Sequence, residues 1–413
     1  MSILIKNIRK LLQTRPTEIK VVSGEDMKKL PSIDNAFLLI EDGKIEDFGK
    51  MEDCPNINVE EIYDAKGCMV LPSWCDSHTH IVYAGDRSSE YMDRIKGLTY
   101  EEIAEKGGGI LNSAKLLEST SKEDLYNQSM ERINNIIKLG TGAIEIKSGY
   151  GLSYDGELKM LEVIKRIKEN TDLQVKSTFL GAHAYPKQYK EDKESYLDLI
   201  INKMIPDFSG KKLIDFIDVF CEKSYFSKED TEKIINEGKK YNIPAKIHVN
   251  QFNSFGGVEI AVKNKALSVD HLEVLTNDDL QSLKNGNTIP VVLPVCSFFL
   301  GIDYAPARKI IDSGLPLAIA SDYNPGSCPS GNMNFVISTA CTKMKITSEE
   351  AINAATINGA FAMNLSDKVG SIAKGKIANL IITNQIKSID EIPYSLGNNS
   401  ISKLILNGKF NNL

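Results

Sequence analysis

Eight short apolar runs alternate with amphipathic helical segments along most of this chain, and this alternation limits the possible folds more than any other feature. The alternation begins near Met69, and the runs read VLPSWCDSH, GAIEIKSGY, QVKSTFLGAH, IDFIDVFCE, AKIHVNQF, ALSVDHLE, IPVVLPVCSF and PLAIASDY. Apolar strands separated by helices are typical of βα units that build a parallel sheet. Eight such units over roughly 250–300 residues are the number found in a (β/α)8 barrel. We therefore predict an α/β fold in which residues 67–366 form one barrel.

The two ends of the chain have a different pattern, made of short strands and turns. Residues 37–49 predict a β-hairpin, because Asp42-Gly43 is a favoured pair for the tip of a two-residue turn. Strand-like segments return near the end of the chain as KGKIANLIITN and SKLILNGKF. We predict that residues 1–66 and 367–413 combine into one small β-sandwich domain.

Every histidine of the chain lies on or beside one of the eight apolar runs, at or near its C-terminal end. These histidines, with one late aspartate, are His78, His80, His183, His248, His271 and Asp322. A single histidine at a strand end usually has a structural role, and a His-x-His pair alone is a weak motif. The C-terminal ends of barrel strands, however, converge on the face that carries barrel active sites. Together these side chains supply the three or more ligands that a catalytic metal site requires.

Composition and charge narrow the partners that the chain can have. A net charge of −6 without a long basic cluster argues against nucleic acid. The longest apolar stretch begins at Ile289 and is too short, and too interrupted by proline, to span a membrane. The seven cysteines show no CxxC spacing and the N-terminus resembles no secretory signal, so we expect a cytoplasmic protein with reduced thiols. We expect it to assemble as a homodimer.

Several motifs resemble those of a known superfamily. PSWCDSHTH followed by AGDR is similar to the first-strand motif of the amidohydrolase superfamily, whose members are metal-dependent barrel hydrolases. More narrowly, SGYGL, GAHAYP and DYNPGS resemble the branch that acts on 4-imidazolone-5-propanoate in histidine degradation. The resemblance covers residues 3–409, nearly the whole chain. It implies hydrolysis of the cyclic amide C–N bond of that small molecule, which gives N-formimidoyl-L-glutamate.

The resemblance also implies roles for individual residues. One zinc or iron ion per chain would be bound by His78, His80, His248 and Asp322. The imidazolone substrate would contact Arg87, Tyr150, His183, Gln251 and Ser327, and the ring-opened product would contact Asn324 and Gly326. The catalytic group would consist of His271, Asp322 and Gln251.

The chemistry of the reaction supports these assignments independently of the resemblance. Hydrolysis of a cyclic amide needs a strong nucleophile, and a divalent metal can lower the pKa of water from about 15.7 to about 7. His271 or Asp322 would then handle the proton, whereas the amide of Gln251 can only donate and accept hydrogen bonds. Arg87 suits the propanoate tail, because a guanidinium pairs bidentately with a carboxylate.

Some positions depart from the pattern of the superfamily. Ser73 stands where glycine is usual, Cys296-Ser297 replaces a small or threonine pair, and Gln251 occupies a position that is glutamate in some relatives. The fourth apolar run ends near Cys221 without a lysine in register to bridge two metals, so we expect one metal rather than two.

Alternatives to these roles remain open at this point. Arg87 could form only a salt bridge within its own loop, Tyr150 and His183 could be residues at the edge of the core, and His271 could be a buried structural residue. Lys147 is more typical of a structural than of a catalytic residue. A mononuclear deaminase acting on guanine-like or cytosine-like rings is the alternative enzyme. A non-catalytic barrel retained for assembly is the alternative from another class.

Overall fold

The computed structural model describes residues 1–98, 102–103 and 106–411, and the strands of this part form two sheets. The strands are β1 Ser2–Leu12, β2 Ser32–Glu41, β3 Lys44–Lys50, β4 Glu61–Asp64, β5 Met69–Pro72, β6 Trp74–Asp76, β7 Thr141–Lys147, β8 Gln174–Ala182, β9 Phe216–Cys221, β10 Ala245–Val249, β11 Ser268–His271, β12 Ile289–Val292, β13 Ala318–Ile319, β14 Leu380–Thr383, β15 Ile401–Leu406 and β16 Lys409–Asn411.

Helices follow most of the strands in the middle of the chain. The α-helices are Ser88–Ile95, Ile110–Ser119, Lys122–Lys138, Tyr154–Glu169, Lys193–Leu199, Ile205–Gly210, Lys228–Lys240, Gly257–Lys263, Asn277–Lys284, Pro294–Leu300, Ala307–Asp312, Met333–Met344, Ser348–Ala355, Ile357–Phe361 and Glu391–Tyr394. Over the described ranges, none of these helices combines the length and the apolar character that crossing a bilayer requires.

The barrel predicted from the alternating pattern is present. Strands β6 to β13 lie side by side in chain order, and each neighbouring pair is parallel. The first and last strands meet just beyond their C-terminal ends, through a bridge between Thr79 and Tyr323. At this seam the Asp322 amide donates to the His78 carbonyl at 3.0 Å, and the His80 amide donates to the Tyr323 carbonyl at 2.9 Å. The seam that closes the barrel is therefore built by predicted metal ligands.

The two chain ends form one continuous second sheet, as predicted for a small β domain. Its strand order is β16-β15-β14-β5-β1-β2-β3, with β4 paired to β1. The predicted hairpin joins β2 to β3, and its tip residues Asp42 and Gly43 have φ angles of 47° and 80°. These left-handed values are those that a tight hairpin turn requires. The sheet buries its own apolar cluster, which includes Ile5, Leu38 and Leu380.

Two of the eight apolar runs are only partly barrel strands. The run VLPSWCDSH changes sheet at Ser73, because β5 pairs with β1 and β14 while β6 pairs with β7. The run IPVVLPVCSF leaves the sheet after Val292, and Pro294 opens the helix Pro294–Leu300 that contains Cys296. Proline suits the first turn of a helix, where its missing N–H leaves no hydrogen bond unmade.

Because the chain changes sheet at Ser73, Met69–Pro72 pairs with strands from the chain ends, although the predicted barrel domain begins at residue 67. The domain limits at residues 66 and 366 remain predictions, and residues 412–413 of the C-terminal part lie outside the described residues. A Cβ atom on Gly142 would lie 2.0 Å from the Ser73 hydroxyl oxygen, so the glycine at 142 makes room for the serine at 73.

Asn379 links the two sheets beside this change of sheet. Its side-chain amide donates to the Gly142 carbonyl at 2.9 Å, and its side-chain oxygen accepts from the Asn407 amide at 2.8 Å. Its own carbonyl accepts from the Ser73 amide at 2.9 Å. The residue is 2% exposed, so all of these groups depend on protein partners rather than on water.

We expect Asn379→Ala to lower the free energy of unfolding by about 2–4 kcal/mol, because it leaves buried backbone groups without hydrogen-bond partners. Asn398→Ala is the matched control, since Asn398 is exposed and its loss should cost no more than about 0.5 kcal/mol. Urea denaturation followed by circular dichroism measures both. Equal stability of the two variants would show that Asn379 does not join the sheets.

Candidate metal centre

Four predicted ligands converge at the C-terminal end of the barrel. His78 and His80 follow β6, His248 lies in β10 and Asp322 follows β13. Oδ1 of Asp322 lies 3.7 Å from Nε2 of His78 and 3.6 Å from Nε2 of His80. The Nε2 atoms of His80 and His248 are 3.3 Å apart. Three imidazole nitrogens and one carboxylate oxygen therefore face a common point.

The chemistry of this donor set fits a divalent cation. Nε2 of His78 is buried and has no hydrogen-bond partner among the described residues. Two imidazole nitrogens that approach each other, with no polar group between them, would normally be costly. Imidazole nitrogen and carboxylate oxygen are ligands that both zinc and iron accept. The four side chains are thus arranged as a cation site needs them.

The protonation states of these four side chains agree with metal binding. Burial lowers the pKa of His78, His80 and His248 well below the ordinary value, and nearby positive charges add to the effect. These imidazoles are therefore neutral, which is the form that binds metal. Burial raises the pKa of Asp322. A cation at the centre would offset the cost of keeping that carboxylate ionised.

Two buried aspartates hold the histidine rings from behind. Nδ1 of His78 lies 2.6 Å from Oδ2 of Asp270, and Nδ1 of His248 lies 2.8 Å from Oδ2 of Asp218. A neutral ring that donates its Nδ1–H to a carboxylate turns an unprotonated Nε2 toward the centre. Sequence analysis missed both aspartates. The available signal was an acidic residue inside each of two apolar strands, β9 and β11.

Lys147 is the shared partner of these aspartates. Its Nζ lies 2.8 Å from Oδ2 of Asp218, 3.7 Å from Oδ2 of Asp270 and 2.7 Å from Oε1 of Glu145. Lys246 adds a second ammonium, 3.4 Å from Glu145 and 3.8 Å from Asp270. Burial lowers the pKa of Lys147, but the surrounding carboxylates outweigh burial and raise it. A fully buried ion cluster therefore lies behind the four convergent ligands.

A cavity opens in front of the centre, and most of the other predicted site residues line it. Its walls are formed by His80, Arg87, Ile110, Tyr150, His183, Phe220, His248, Gln251, His271, Asp322, Asn324 and Ser327. The predicted substrate contacts therefore share one space, with one exception. Gly326 lies behind Arg87, where a Cβ atom would be 2.1 Å from Nη1 of the guanidinium. Only glycine permits this close approach.

Arg87 both lines the cavity and forms the ion pair that sequence analysis considered as its alternative role. Its Nε donates to Oε2 of Glu90 at 2.7 Å. Glu90 also accepts from the Gly109 amide at 3.1 Å and from the Asn112 side chain at 2.9 Å. Glu90 is thus fixed by three donors and holds the guanidinium in place at the cavity wall.

His183 and Tyr150 form an aromatic wall beside His80. The rings of His80 and His183 stack at 5.3 Å and 17°, and the Tyr150 ring lies 5.4 Å from that of His183. Nδ1 of His183 lies 2.9 Å from the Gly149 carbonyl, and burial lowers the pKa of His183 to about 4. His183 and Tyr150 therefore contribute aromatic rings, one of them a neutral imidazole, to the cavity wall.

The loop after β13 is organised by Asn324. Its side-chain oxygen accepts from the amides of Gly326 and Ser327 at 2.8 and 2.7 Å. Its side-chain nitrogen donates to the Asp322 carbonyl at 2.7 Å, and the Ser327 hydroxyl donates to Oδ2 of Asp322 at 3.2 Å. The loop therefore orients Asp322, as well as forming part of the cavity wall.

His271 lies at the edge of the centre. One of its ring nitrogens is within 4.8 Å of donor atoms of His78 and His248. Burial lowers the pKa of His271, but nearby carboxylates outweigh burial and raise it, chiefly Glu273, whose Oε1 lies 3.4 Å from Nδ1. His271 and Asp322 have φ angles of 93° and 57°, left-handed values that are costly for residues with a side chain. Backbone strain of this kind clusters at functional sites in many proteins, although other described non-glycine residues of this chain also have positive φ angles.

Comparisons with known proteins agree with this geometry. The model of the amidohydrolase family matches residues 69–410. The imidazolonepropionase of Christiangramia forsetii is 59% identical over 409 residues, and the match covers 99% of this chain and 100% of that protein. The imidazolonepropionase of Alkaliphilus oremlandii is 38% identical over 413 residues, with coverage of 99% and 97%.

Solved structures show the same fold at much lower identity. The guanine deaminase of E. coli has a TM-score of 0.76 at 15% identity, over 99% of this chain and 98% of that chain. The guanine deaminase of C. acetobutylicum with bound guanine has a TM-score of 0.73 at 17% identity, over 99% and 100%. These two likenesses concern the fold alone. The family match and the curated relatives show that the chain belongs to the amidohydrolase family and, within it, to the imidazolonepropionases.

Proposed function

We propose that this chain hydrolyses the ring of 4-imidazolone-5-propanoate to give N-formimidoyl-L-glutamate. The observation that carries the proposal is a cavity whose wall includes a fixed arginine and three members of the buried His/His/His/Asp group, His80, His248 and Asp322. The His/His/His/Asp group can hold the ion that activates water, and the arginine can bind a carboxylate. The curated imidazolonepropionases, which match over nearly the full chain, support the same substrate.

One zinc or iron ion per chain would be held by His78, His80, His248 and Asp322. When bound, it would supply Lewis acidity and make water a usable nucleophile near neutral pH. One ion is favoured over two because β9, which would carry a bridging lysine in a two-metal site, ends at Cys221.

The remaining cavity residues would position the substrate. Arg87 would pair with the propanoate carboxylate, and Tyr150 and His183 would pack against the imidazolone ring. Gln251 would hydrogen-bond the ring, because an amide can donate and accept but cannot take a proton. Ser327 would contact the substrate as well, and Asn324 and Gly326 would contact the ring-opened product.

Asp322 and His271 would assist the hydrolysis in different ways. Asp322 would accept a proton from the attacking water, and His271 would stabilise the oxyanion that develops on the amide carbonyl. His271 suits this task because Glu273 favours its protonated form. The proton would finally reach the leaving ring nitrogen, which allows the C–N bond to break.

The proposals on location and partners rest on the sequence rather than on the site. We propose a cytoplasmic homodimer that binds neither nucleic acid nor membrane. The net charge of −6 supports the absence of nucleic-acid binding.

The direct test supplies 4-imidazolone-5-propanoate to the metal-loaded protein and follows formation of N-formimidoyl-L-glutamate. Turnover that disappears after chelation and returns with zinc or iron supports the proposal. Ammonia release from guanine or cytosine, without imidazolone turnover, would favour a deaminase. No conversion of any of these rings by a folded, metal-loaded sample would favour a non-catalytic barrel.

Replacement of Asp270 tests how the metal ligands are held. We expect Asp270→Asn to weaken metal affinity by about 10–100-fold, because His78 loses the charged acceptor that orients its ring. Asp215→Asn is the matched control, since Asp215 pairs with Lys168 and Lys176 away from the centre. Competition with a chelator of known affinity measures both. Equal affinities would show that the aspartate does not orient the ligand.

Replacement of Arg87 tests recognition of the propanoate tail. We expect Arg87→Ala to lower kcat/KM by roughly 30- to 1000-fold, because a charge-assisted bidentate pair worth about 2–4 kcal/mol is lost. Arg87→Lys keeps the charge but not the planar pair of donors, so its kcat/KM should lie between those of wild type and Arg87→Ala. Steady-state kinetics at fixed metal content gives the comparison. An unchanged kcat/KM in folded Arg87→Ala would show that Arg87 does not bind the substrate and serves only in the ion pair with Glu90.

Replacement of His271 separates a catalytic role from a structural one. We expect His271→Ala to lower kcat by about 10²–10⁴-fold with bound metal retained, because the group acts mainly on charge of the transition state. Gln251→Glu should keep substantial activity. The measurement combines kcat, bound metal and melting temperature on one sample of each variant. Near-normal turnover of His271→Ala would exclude the catalytic role, and loss of metal would make His271 a ligand or a scaffold residue.

A further inference from the structure

A second group of possible metal ligands lies on the other side of His271. A ring nitrogen of His271, a carboxylate oxygen of Glu273 and the sulfur of Cys296 all lie within 4.8 Å of one another. Nδ1 of His271 and Oε1 of Glu273 are 3.4 Å apart. Ligand atoms around a tetrahedral zinc are roughly 3.3–3.8 Å apart, so a small side-chain rotation would complete the arrangement. We call these three residues the second site.

An unsatisfied acceptor points to a ligand at the second site. Oε1 of Glu273 accepts from the Ser297 hydroxyl at 3.1 Å, but the buried Oε2 has no hydrogen-bond partner among the described residues. The Glu273 side chain is 2% exposed and that of His271 is 3% exposed, while Cys296 is fully buried. A buried carboxylate oxygen without a partner is costly unless a cation binds it.

Gln251 offers a fourth ligand. Its side-chain nitrogen lies 3.7 Å from the sulfur of Cys296. The two ends of an amide differ little in shape, so a half-turn of the side chain would place the oxygen there instead. Gln251 and Cys296 are also two of the positions at which the sequence departs from the family pattern.

We propose that the second site is a weaker, inhibitory metal site for zinc and for softer divalent cations such as cadmium. Imidazole, carboxylate and thiolate are ligands that these ions accept, and sulfur favours the softer ones. Binding replaces the proton of the Cys296 thiol and the Nδ1 proton of His271 with the metal, and both protons pass to solvent.

The second site should bind more weakly than the first. The Cys296 thiol also contacts the carboxylate of Asp322, which is a ligand of the first centre. Two divalent cations that share these surroundings repel each other strongly. Inhibition follows because the second ion engages His271, to which the proposed function assigns oxyanion stabilisation. The inhibition therefore rests on the proposed function, whereas the binding does not.

The test uses full-length protein loaded with one equivalent of zinc and titrated with Cd²⁺. Thiolate-to-cadmium charge-transfer absorbance reports the sulfur ligand, and metal analysis after desalting gives the stoichiometry of both ions. We expect wild type to gain one cadmium, to keep its zinc and to show the absorbance. Cys296→Ala should gain none at this site, and Cys75→Ala, which removes an equally buried thiol elsewhere, should behave as wild type.

Turnover is measured on the same samples. We expect saturating cadmium to lower kcat of wild type by about 100-fold or more, the scale of a lost oxyanion-stabilising group, and to leave Cys296→Ala insensitive. If Cys296→Ala does not fold, Cys296→Ser is used, with comparison of the charge-transfer absorbance alone.

Three results would overturn the proposal. They are a wild type without the absorbance, a Cys296 variant that still takes up the additional cadmium and is inhibited, and cadmium uptake that only displaces the zinc. A protein that binds the second ion as described but shows no imidazolone turnover would support the site and refute the proposed function. The two failures are therefore distinguishable.

Discussion

The active end of this barrel depends on an ammonium group that has no contact with water. Lys147 holds Glu145 and Asp218 at hydrogen-bond distance and lies close to Asp270, and all four side chains are fully buried. Two of these carboxylates in turn accept from the rings of His78 and His248. Loss of one member of a buried ion pair typically costs about 3–5 kcal/mol, because the other charge stays buried without compensation. The orientation of the proposed metal ligands is therefore tied to the stability of the barrel interior.

The same end of the barrel combines rigid and strained elements. Asp322 comes from a loop whose hydrogen bonds are arranged around Asn324, and its backbone has a positive φ angle. Its amide also helps to close the barrel against His78. Backbone strain of this kind persists only where surrounding contacts over-determine the conformation. The closing seam supplies such contacts, so the position of Asp322, a proposed metal ligand, is a consequence of barrel closure.

Much of this arrangement could be predicted from the sequence. Eight apolar runs predicted the barrel, because the pattern of a strand can be recognised in a short stretch of sequence. The strand-end histidines predicted the common face, because the C-terminal ends of parallel barrel strands lie on the same side of the barrel. The residues behind the centre could not be predicted in this way. Asp218 and Asp270 contact the histidines only in the folded structure, where the rings of His248 in β10 and His78 after β6 meet carboxylates from β9 and β11.

Two runs were misassigned for a related reason. Pro294 lies in an apolar stretch that is as typical of a buried strand as of a buried helix, and only the proline position distinguishes the two. Ser73 lies in another such stretch, and the change of sheet there depends on space left by Gly142, a residue far away in the chain. Lys147 was predicted to be structural rather than catalytic, and it does not line the cavity, but its ion-pair partners could be identified only from the three-dimensional structure.

Anomalous diffraction at the zinc edge tests the central claim, which is that neutral imidazoles held by buried aspartates form one metal centre. Crystals of protein supplied with a single equivalent of zinc would be used. The account predicts one strong peak bounded by Nε2 of His78, His80 and His248 and by the carboxylate of Asp322. A principal peak beside Cys296, or zinc bound only at the protein surface, would contradict it.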